Sequence, residues 1–482
     1  MNSVKTQVFS GLIWTYAERF LAQIVSLVVT IILARLVAPE DYGVISIASV
    51  FIVIADTFAI NGLGNSLIYK KDADKIDFSS VFFFNIVFST VLYAIFFIIA
   101  QPLAVFYEME LLTPVLRVMA IRIPIAAINS VQQAYISKKM EFKKFFYATL
   151  GGTIASAVLG VILAILGMGV WALVAQYLSN VIVDTMILWF TVKWRPCLVY
   201  SHKRMKELYS YGWKILVTSL MITLYSNVQD LVIGKKFSSE DLAYSNKGKQ
   251  FPSLVATNIN TSITKVLFPA ISNCQGNIYQ MKNMTRRAVG VGTYVLTPVL
   301  IGLAAVADTF VRIILTERWL PCVPYLRVMC IVYALQPIQT SSIQALKGLG
   351  KSDVYLKLEI VKKIFGIVVL FITVFCFDNV FAIIVGSLIA EIFSTILNLP
   401  CNKKFLNYSY SEQVKDILPT VAMSFCMFTI VGLMETIKIN SFLLFVLQIG
   451  VGASVYILLS VIFHNQNFKY ILDLIVSYIK SK

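Results

Sequence analysis

The sequence predicts an all-α polytopic membrane protein of about fourteen transmembrane helices, in two parallel six-helix lobes around a central cavity plus two extra helices. Three observations lead there. First, 58% of the residues are hydrophobic and 14% charged, with a mean hydropathy of +0.79. A soluble domain carries about 25% charged residues, so this chain has too little charge to cover a water-facing surface. Second, apolar runs of the roughly 20 residues needed to cross a bilayer recur along the whole chain. None alternates over about 10 residues as a barrel strand would. Backbone in hydrocarbon must satisfy its own hydrogen bonds, so the runs read as helices. Third, the chain repeats itself.

The runs fall at 8–36, 42–67, 79–106, 112–136, 146–166, 168–192 and 211–234, then 242–268, 288–312, 322–346, 356–376, 379–399, 416–434 and 442–463. The first carries Glu18 and Arg19 and lacks a small-residue cleavage site, so it is expected to be a span and not a cleaved signal. The last residues place Phe468, Ile471, Leu472, Ile475 and Ile479 on one face, which suits a helix lying on the membrane surface.

The net charge of +16 is unevenly spread. With the N-terminus in the cytoplasm, the loops on that side hold about 25 Lys and Arg against about 8 on the other. Lys138-Lys139, Lys143-Lys144, the stretch from Lys193 to Lys206, and Arg286-Arg287 dominate the basic side. These clusters read as topology signals and contacts for anionic lipids. A nucleic-acid role is not expected, and both termini are expected in the cytoplasm. The seven cysteines are scattered with no CxxC and read as small apolar residues.

The repeat has three landmarks in the same order. Pro39-Glu40-Asp41-Tyr42-Gly43 returns as Ser239-Glu240-Asp241-Leu242-Ala243. Pro114-Val-Leu-Arg117-Val-Met119 returns as Pro324-Tyr-Leu-Arg327-Val-Met329, and Val170-Trp171-Ala172-Leu173 as Val380-Phe381-Ala382-Ile383. Residues 1–200 and 201–405 are thus expected to be two six-helix lobes, followed by two unrepeated spans over 406–464 and an amphipathic tail over 465–482. An even number of spans per lobe makes the lobes parallel, and transporters built from such repeats bind substrate where the repeats meet. Arg117 and Arg327 are repeat mates near span ends, where snorkelling explains them.

Together with these landmarks, Gly62-Leu63-Gly64, Gly167-Met-Gly-Val-Trp171-Ala-Leu-Val-Ala-Gln176, Val266-Leu-Phe-Pro269-Ala and Gly348-Leu-Gly350 give the chain a resemblance. From about residue 5 to 400 it resembles the Wzx-type polysaccharide flippases of the multidrug/oligosaccharidyl-lipid/polysaccharide exporter superfamily. The resemblance implies a bacterial inner-membrane transporter, not an enzyme. Its substrate would be undecaprenyl-pyrophosphate-linked oligosaccharide, for O-antigen, capsule or exopolysaccharide assembly. A polysaccharide polymerase and a chain-length regulator are the partners implied. Two alternatives stay open: a cation-coupled multidrug or small-solute antiporter of the same superfamily, and a membrane-embedded oligosaccharide polymerase or ligase. The short outer loops speak against the enzyme.

Two motifs imitate other chemistry. Ala345-Leu-Lys-Gly-Leu-Gly350-Lys351-Ser352 matches a relaxed phosphate loop but sits between two spans, so it reads as a helix C-terminal glycine and a basic loop. Asp72-Ala-Asp74 resembles a metal-binding pair but lies in a loop of about ten residues with no further ligands. His202 and His464 lie outside the spans. No metal, cofactor or nucleotide is expected.

The functional signal is polarity inside spans, which is costly there and marks substrate paths. Thr15, Arg19, Gln23, Ser26 and Thr30 share one face of the first span. Their images 200 residues on are Ile215, Ser219, Thr223, Ser226 and Asp230, with Asn227 beside them. The second span adds Asp56, Asn61 and Asn65; the eighth adds Lys247, Gln250, Asn258 and Lys265; the fourth adds Arg122. The expected cavity residues are Arg19, Gln23, Asn61, Asn65, Arg122, Asn227, Lys247, Asn258 and Lys265, with Asp56 and Asp230 as candidates for coupling.

Overall fold

The structure, a computed structural model, describes residues 20–60, 63–70, 72–139, 141–274, 276–437 and 439–480, and among these every regular element is helical. In order they are α1 (Phe20–Leu36), α2 (Pro39–Ile60), α3 (Leu63–Tyr69), α4 (Lys75–Tyr107), α5 (Leu112–Met119), α6 (Arg122–Lys139), α7 (Phe142–Ile165), α8 (Val170–Thr191), α9 (His202–Lys236) and α10 (Ser239–Asn273). There follow α11 (Ile278–Ala305), α12 (Ala307–Ile314), α13 (Val323–Ala334), α14 (Gln336–Gly348), α15 (Ser352–Cys376), α16 (Val380–Leu406), α17 (Tyr410–Leu433), α18 (Ser441–Ile462) and α19 (Gln466–Lys480).

Among the described residues, eleven segments are long and apolar enough to cross a membrane. The described part of α1 is shorter, α10 is too polar, and Glu359, Lys362 and Lys363 leave α15 too charged, although all three are helices where spans are expected. Many large apolar side chains on the long helices are exposed, among them Phe371 and Phe375 on α15, Phe425 on α17 and Leu458 on α18. Exposed apolar surface on helices that satisfy their own backbone is what a lipid belt requires. The residues pack as two compact units, Met1–Ala243 and Tyr244–Lys482.

Three expected spans are broken helices among the described residues. The run 112–136 divides into α5 and α6, 288–312 into α11 and α12, and 322–346 into α13 and α14. Pro124 and Pro337 stand in the first turns of α6 and α14, where a missing N–H is tolerated but an unbroken helix would lose a bond. Element starts keep the spacing of the sequence repeat: α7 and α8 begin at Phe142 and Val170, α15 and α16 at Ser352 and Val380. Arg117 Nε donates to the Phe97 carbonyl on α4 at 3.1 Å, and Arg327 Nε to the Ala304 carbonyl on α11 at 3.2 Å. The repeat mates therefore do the same work: each ties a short helix to the long helix before it, which snorkelling alone does not describe.

The helix ends explain several sequence features. Asp74 caps α4, accepting from Ile76 and Asp77 N–H, while Asp77 reaches back to the Asp74 N–H. Arg204 donates to Asp74 and holds its carboxyl down at about 2. Asp77 is fully buried and bound by Lys70 at 2.9 Å. Asp74 of the Asp-x-Asp pair thus belongs, with Asp77, to a capping box and an ion-pair network. Likewise α14 ends at Gly348, Gly350 takes φ +72°, and α15 starts at Ser352, so a helix–turn–helix occupies the phosphate-loop match.

In the second unit, Pro298 inside α11 has no N–H for the carbonyl four residues back, that of Tyr294. Tyr456 Oη on α18 donates to that carbonyl at 3.0 Å, and the Tyr294 hydroxyl bonds Ser460 Oγ at 2.8 Å. Loss of the donor would leave a buried acceptor unpaired, at a cost of about 1–3 kcal/mol. Tyr456→Phe is therefore expected to lower the unfolding free energy of detergent-purified protein by that amount. In a Pro298→Ala background, where the backbone N–H regained at that position can serve the carbonyl, most of the loss should vanish. Equal losses in both backgrounds would show that the carbonyl is not what Tyr456 serves.

Candidate functional site

The first unit holds a polar cluster inside apolar helices. Asp56 on α2 and Arg122 on α6 pair at 3.0 Å (Oδ2 to Nε), with side chains 14% and 23% exposed. The guanidinium lies 4.6 Å from the centre of the Tyr177 ring on α8, a cation–π contact. Further along α6, Asn129 donates to Asp184 Oδ2 at 2.6 Å and to Thr185 Oγ1 at 2.9 Å, both on α8. Arg122 and Asn129 are seven residues apart and so share a face. Asp56 Oδ1 is buried with no hydrogen-bond partner among the described residues. Next to Asp56, Thr57 Oγ1 meets Thr223 Oγ1 of α9 at 3.2 Å. Three helices thus present two carboxylates, one guanidinium, a phenol and an amide to one another.

The expected site residues are placed unevenly. Arg19 and Asn61 lie outside the described residues, and Asn65 lies on α3. Gln23 is half-buried on α1. Asn227 donates to the Thr223 carbonyl at 2.8 Å and to Ser226 Oγ at 3.2 Å, and Asp230 one turn on is buried. Lys247 is 5% exposed, its ammonium 5.4 Å from the Trp319 ring centre. Gly248 explains that burial: a Cβ there would lie 2.8 Å from Tyr325 Cβ, so α10 and α13 touch closely at this point. Asn258 and Lys265, further along α10, are exposed. The structure brings Asp56 and Arg122 together as an ion pair; Arg122 is a neutralised cation. Tyr177, Asp184 and Asn129 were not among the expected residues. Asp184, a carboxylate in the apolar run 168–192, carried the available signal.

The Pro39–Gly43 signature meets its own repeat image. A Cβ on Gly43 would lie 2.0 Å from the Ser239 carbonyl oxygen, so the first turn of α2 rests on the backbone that starts α10. Glu240 faces Glu40 at this contact, and that interaction, with burial and the neighbouring Asp241, raises the Glu240 carboxyl above its usual range.

A family model described as a polysaccharide biosynthesis protein matches residues 32–324. The chain is 27% identical to the teichuronic acid biosynthesis protein TuaB of Bacillus subtilis (strain 168), over 73% of this chain and 74% of that one. It is 22% identical to the lipopolysaccharide biosynthesis protein WzxC of Escherichia coli (strain K12), over 88% of each. Among solved structures, the lipid II flippase MurJ in an inward closed conformation superposes with a TM-score of 0.75 at 16% identity, over 95% of this chain and 99% of that one.

Proposed function

Because the chain belongs to the polysaccharide biosynthesis protein family, we propose that it is a multi-pass flippase of the bacterial cytoplasmic membrane. It moves undecaprenyl-pyrophosphate-linked oligosaccharide from the inner to the outer leaflet for O-antigen, capsule or exopolysaccharide assembly. The observation that carries the reading is ionisable and amide side chains, Asp56, Arg122, Asn129 and Asp184 foremost, set inside long apolar helices. Such groups are expensive in hydrocarbon and mark polar paths. A pyrophosphate with many hydroxyls cannot cross about 30 Å of hydrocarbon unaided. A polar path open to lipid removes that barrier while the polyprenyl tail stays in the bilayer.

In this reading about fourteen spans form two parallel lobes, 1–200 and 201–405, with both termini cytoplasmic, and transport proceeds by alternating access. Arg19 takes the pyrophosphate, because a guanidinium meets phosphate oxygens bidentately. Lys265, exposed on α10, is the second cation, with Lys247 behind it. Gln23, Asn61, Asn65, Asn227 and Asn258 meet sugar hydroxyls. Asp56 balances the charge of Arg122 between cycles, and Asp56 and Asp230 are the coupling carboxylates. A polymerase, a chain-length regulator and anionic lipids are the partners.

Complementation of polymer export tests this, with membrane levels checked. Arg19→Ala is expected to abolish export and Arg19→Lys to restore part of it. Normal export by Arg19→Ala, Lys247→Ala and Lys265→Ala at normal protein levels would reduce the polar faces to helix packing. The carboxylates Asp56 and Asp184 favour one second reading, a cation-coupled antiporter. Uptake of cationic dyes by reconstituted protein, driven by an ion gradient, would establish that reading instead.

A further inference from the structure

We infer that the second unit carries a binding site for an anionic phospholipid, its phosphate in a basic cavity at the start of α19 and an acyl chain in the groove between α10 and α11. The inference deepens the lipid partnership proposed above by assigning it a place.

The polar half is a cavity of about 680 Å³ where α11, α17 and the α18–α19 turn meet. Arg286, Arg287, Lys415, Asp416, His464 and Asn467 are among its walls. Arg286 is already occupied: it meets Asp416 bidentately at 2.7 Å per bond and Glu412 at 3.3 Å. Arg287 and Lys415 are different. Among the described residues no carboxylate lies within ion-pair distance of either, and the Arg287 guanidinium lies 4.4 Å from the centre of the Tyr470 ring. Two cations without counter-charge in a concave wall lined with amides suit a phosphate, which takes bidentate bonds from Arg and a point charge from Lys.

The cavity is built by packing. A Cβ on Gly290 would stand 2.7 Å from Asn467 Oδ1, so the glycine leaves the room that the Asn467 side chain of α19 takes against α11. Asn465 caps α19 by accepting from Asn467 N–H at 2.9 Å and Phe468 N–H at 3.3 Å. Phe468 and Ile471 then pack against the core around Tyr294, Met427 and Tyr456. With the first amides of α19 capped, the side-chain cations carry the attraction.

The apolar half adjoins it. A second cavity of about 650 Å³ runs between α10 and α11, walled mainly by Ile259, Ile263, Val266, Val291 and Val295, and it shares Asn258 with the transport surface proposed above. Arg287 and Tyr470 belong to both cavities, so this cation–π pair is the partition between them. A cationic cavity and a hydrocarbon groove sharing one wall match an amphiphile whose charge sits at the end of its chain. A free phosphate would use only the first cavity and a neutral lipid only the second.

The test is lipid binding by the full-length purified protein, read by native mass spectrometry and by the melting midpoint. The probes are phosphatidylglycerol, phosphatidylcholine, undecaprenyl phosphate and inorganic phosphate. Phosphatidylglycerol is expected to be retained and to raise the midpoint, with phosphatidylcholine and inorganic phosphate doing neither. Arg287→Gln with Lys415→Gln should weaken phosphatidylglycerol binding roughly tenfold or more, given ~1 kcal/mol per cation near a lipid surface. Arg287→Lys with Lys415→Arg should keep most of it, which separates loss of charge from loss of fold. Equal binding of the two phospholipids, unaltered binding by the Gln variant, or loss by both variants would overturn the site. Stabilisation by inorganic phosphate alone, or displacement of phosphatidylglycerol by stoichiometric undecaprenyl phosphate, would overturn the assignment to a resident phospholipid. None of these readouts uses export, so the transport reading stands or falls separately.

Discussion

Arg122→Ala is expected to lower the unfolding free energy of the purified protein by about 3 kcal/mol, because it strands the Asp56 carboxylate among α2, α6 and α8. The magnitude comes from losing the partner and not from the worth of the pair. Asp56→Asn with Arg122→Gln leaves two neutral groups that can hydrogen-bond, and should recover most of the loss. The contacts make the sites strongly coupled, so the double-mutant cycle should show a large interaction energy. Melting in detergent and membrane abundance measure stability; polymer export measures function. If the double variant is stable but does not export, the charges serve transport. If Arg122→Ala alone is as stable as the parent, the pair is not formed in the folded protein.

A larger effect is expected at Gly43. A Cβ there would sit 2.0 Å from a backbone oxygen, with Ser239 Cβ only 2.7 Å away, so no flexible side chain can move aside. The first turn of α2 would have to leave the start of α10, and overpacking of this kind costs roughly 3 kcal/mol or more. Gly43→Ala should therefore abolish export and sharply reduce the protein in the membrane. Gly432→Ala is the control: nothing lies within 4 Å of its Cβ position on α17, and a helical Gly→Ala change is worth up to about 1 kcal/mol of stabilisation. Similar behaviour of the two variants would mean that the close approach does not exist.

The helices were legible in the sequence because hydrocarbon imposes one simple demand, a long apolar run. All fourteen runs fall on helices where the structure describes them, and the tail over 465–482 holds α19. The breaks at α5–α6 and α13–α14 were not read, although Pro124 and Pro337 stood in the runs. A proline in an apolar run can kink a helix or divide it, and only its neighbours decide which. The extension of α9 back to His202 was missed because a polar turn carries no apolar signal. Within the candidate site, Asp56 and Arg122 stood out separately as charges in spans. Their pairing depends on how α2 and α6 pack, over 66 residues of sequence, which no local pattern encodes. Lys247 stood out as a cation in a span; its burial, with Gly248 beside it close against α13, did not. The glycine was visible; its contact was not.

The basic clusters have a consequence for ionic strength. Lys138 donates to the carbonyls of Leu67 and Lys70 at the end of α3, and Arg195 to those of Trp189, Val192 and Trp194 at the end of α8. Lys144 pairs with Glu141, Arg204 with Asp74, and Arg286 with Asp416. Cations at helix C-termini satisfy carbonyls that have no intrahelical partner. Lys138 and Arg195 are therefore cations spent on helix ends and not offered to the bilayer surface. Added salt screens exposed charges over about 8 Å at physiological strength but reaches buried pairs far less. Raising the salt concentration should strip surface-bound anionic lipid and weaken the half-exposed pairs Lys144–Glu141 and Arg204–Asp74, while the bonds of Lys138 and Arg195 to backbone carbonyls keep the ends of α3 and α8 closed.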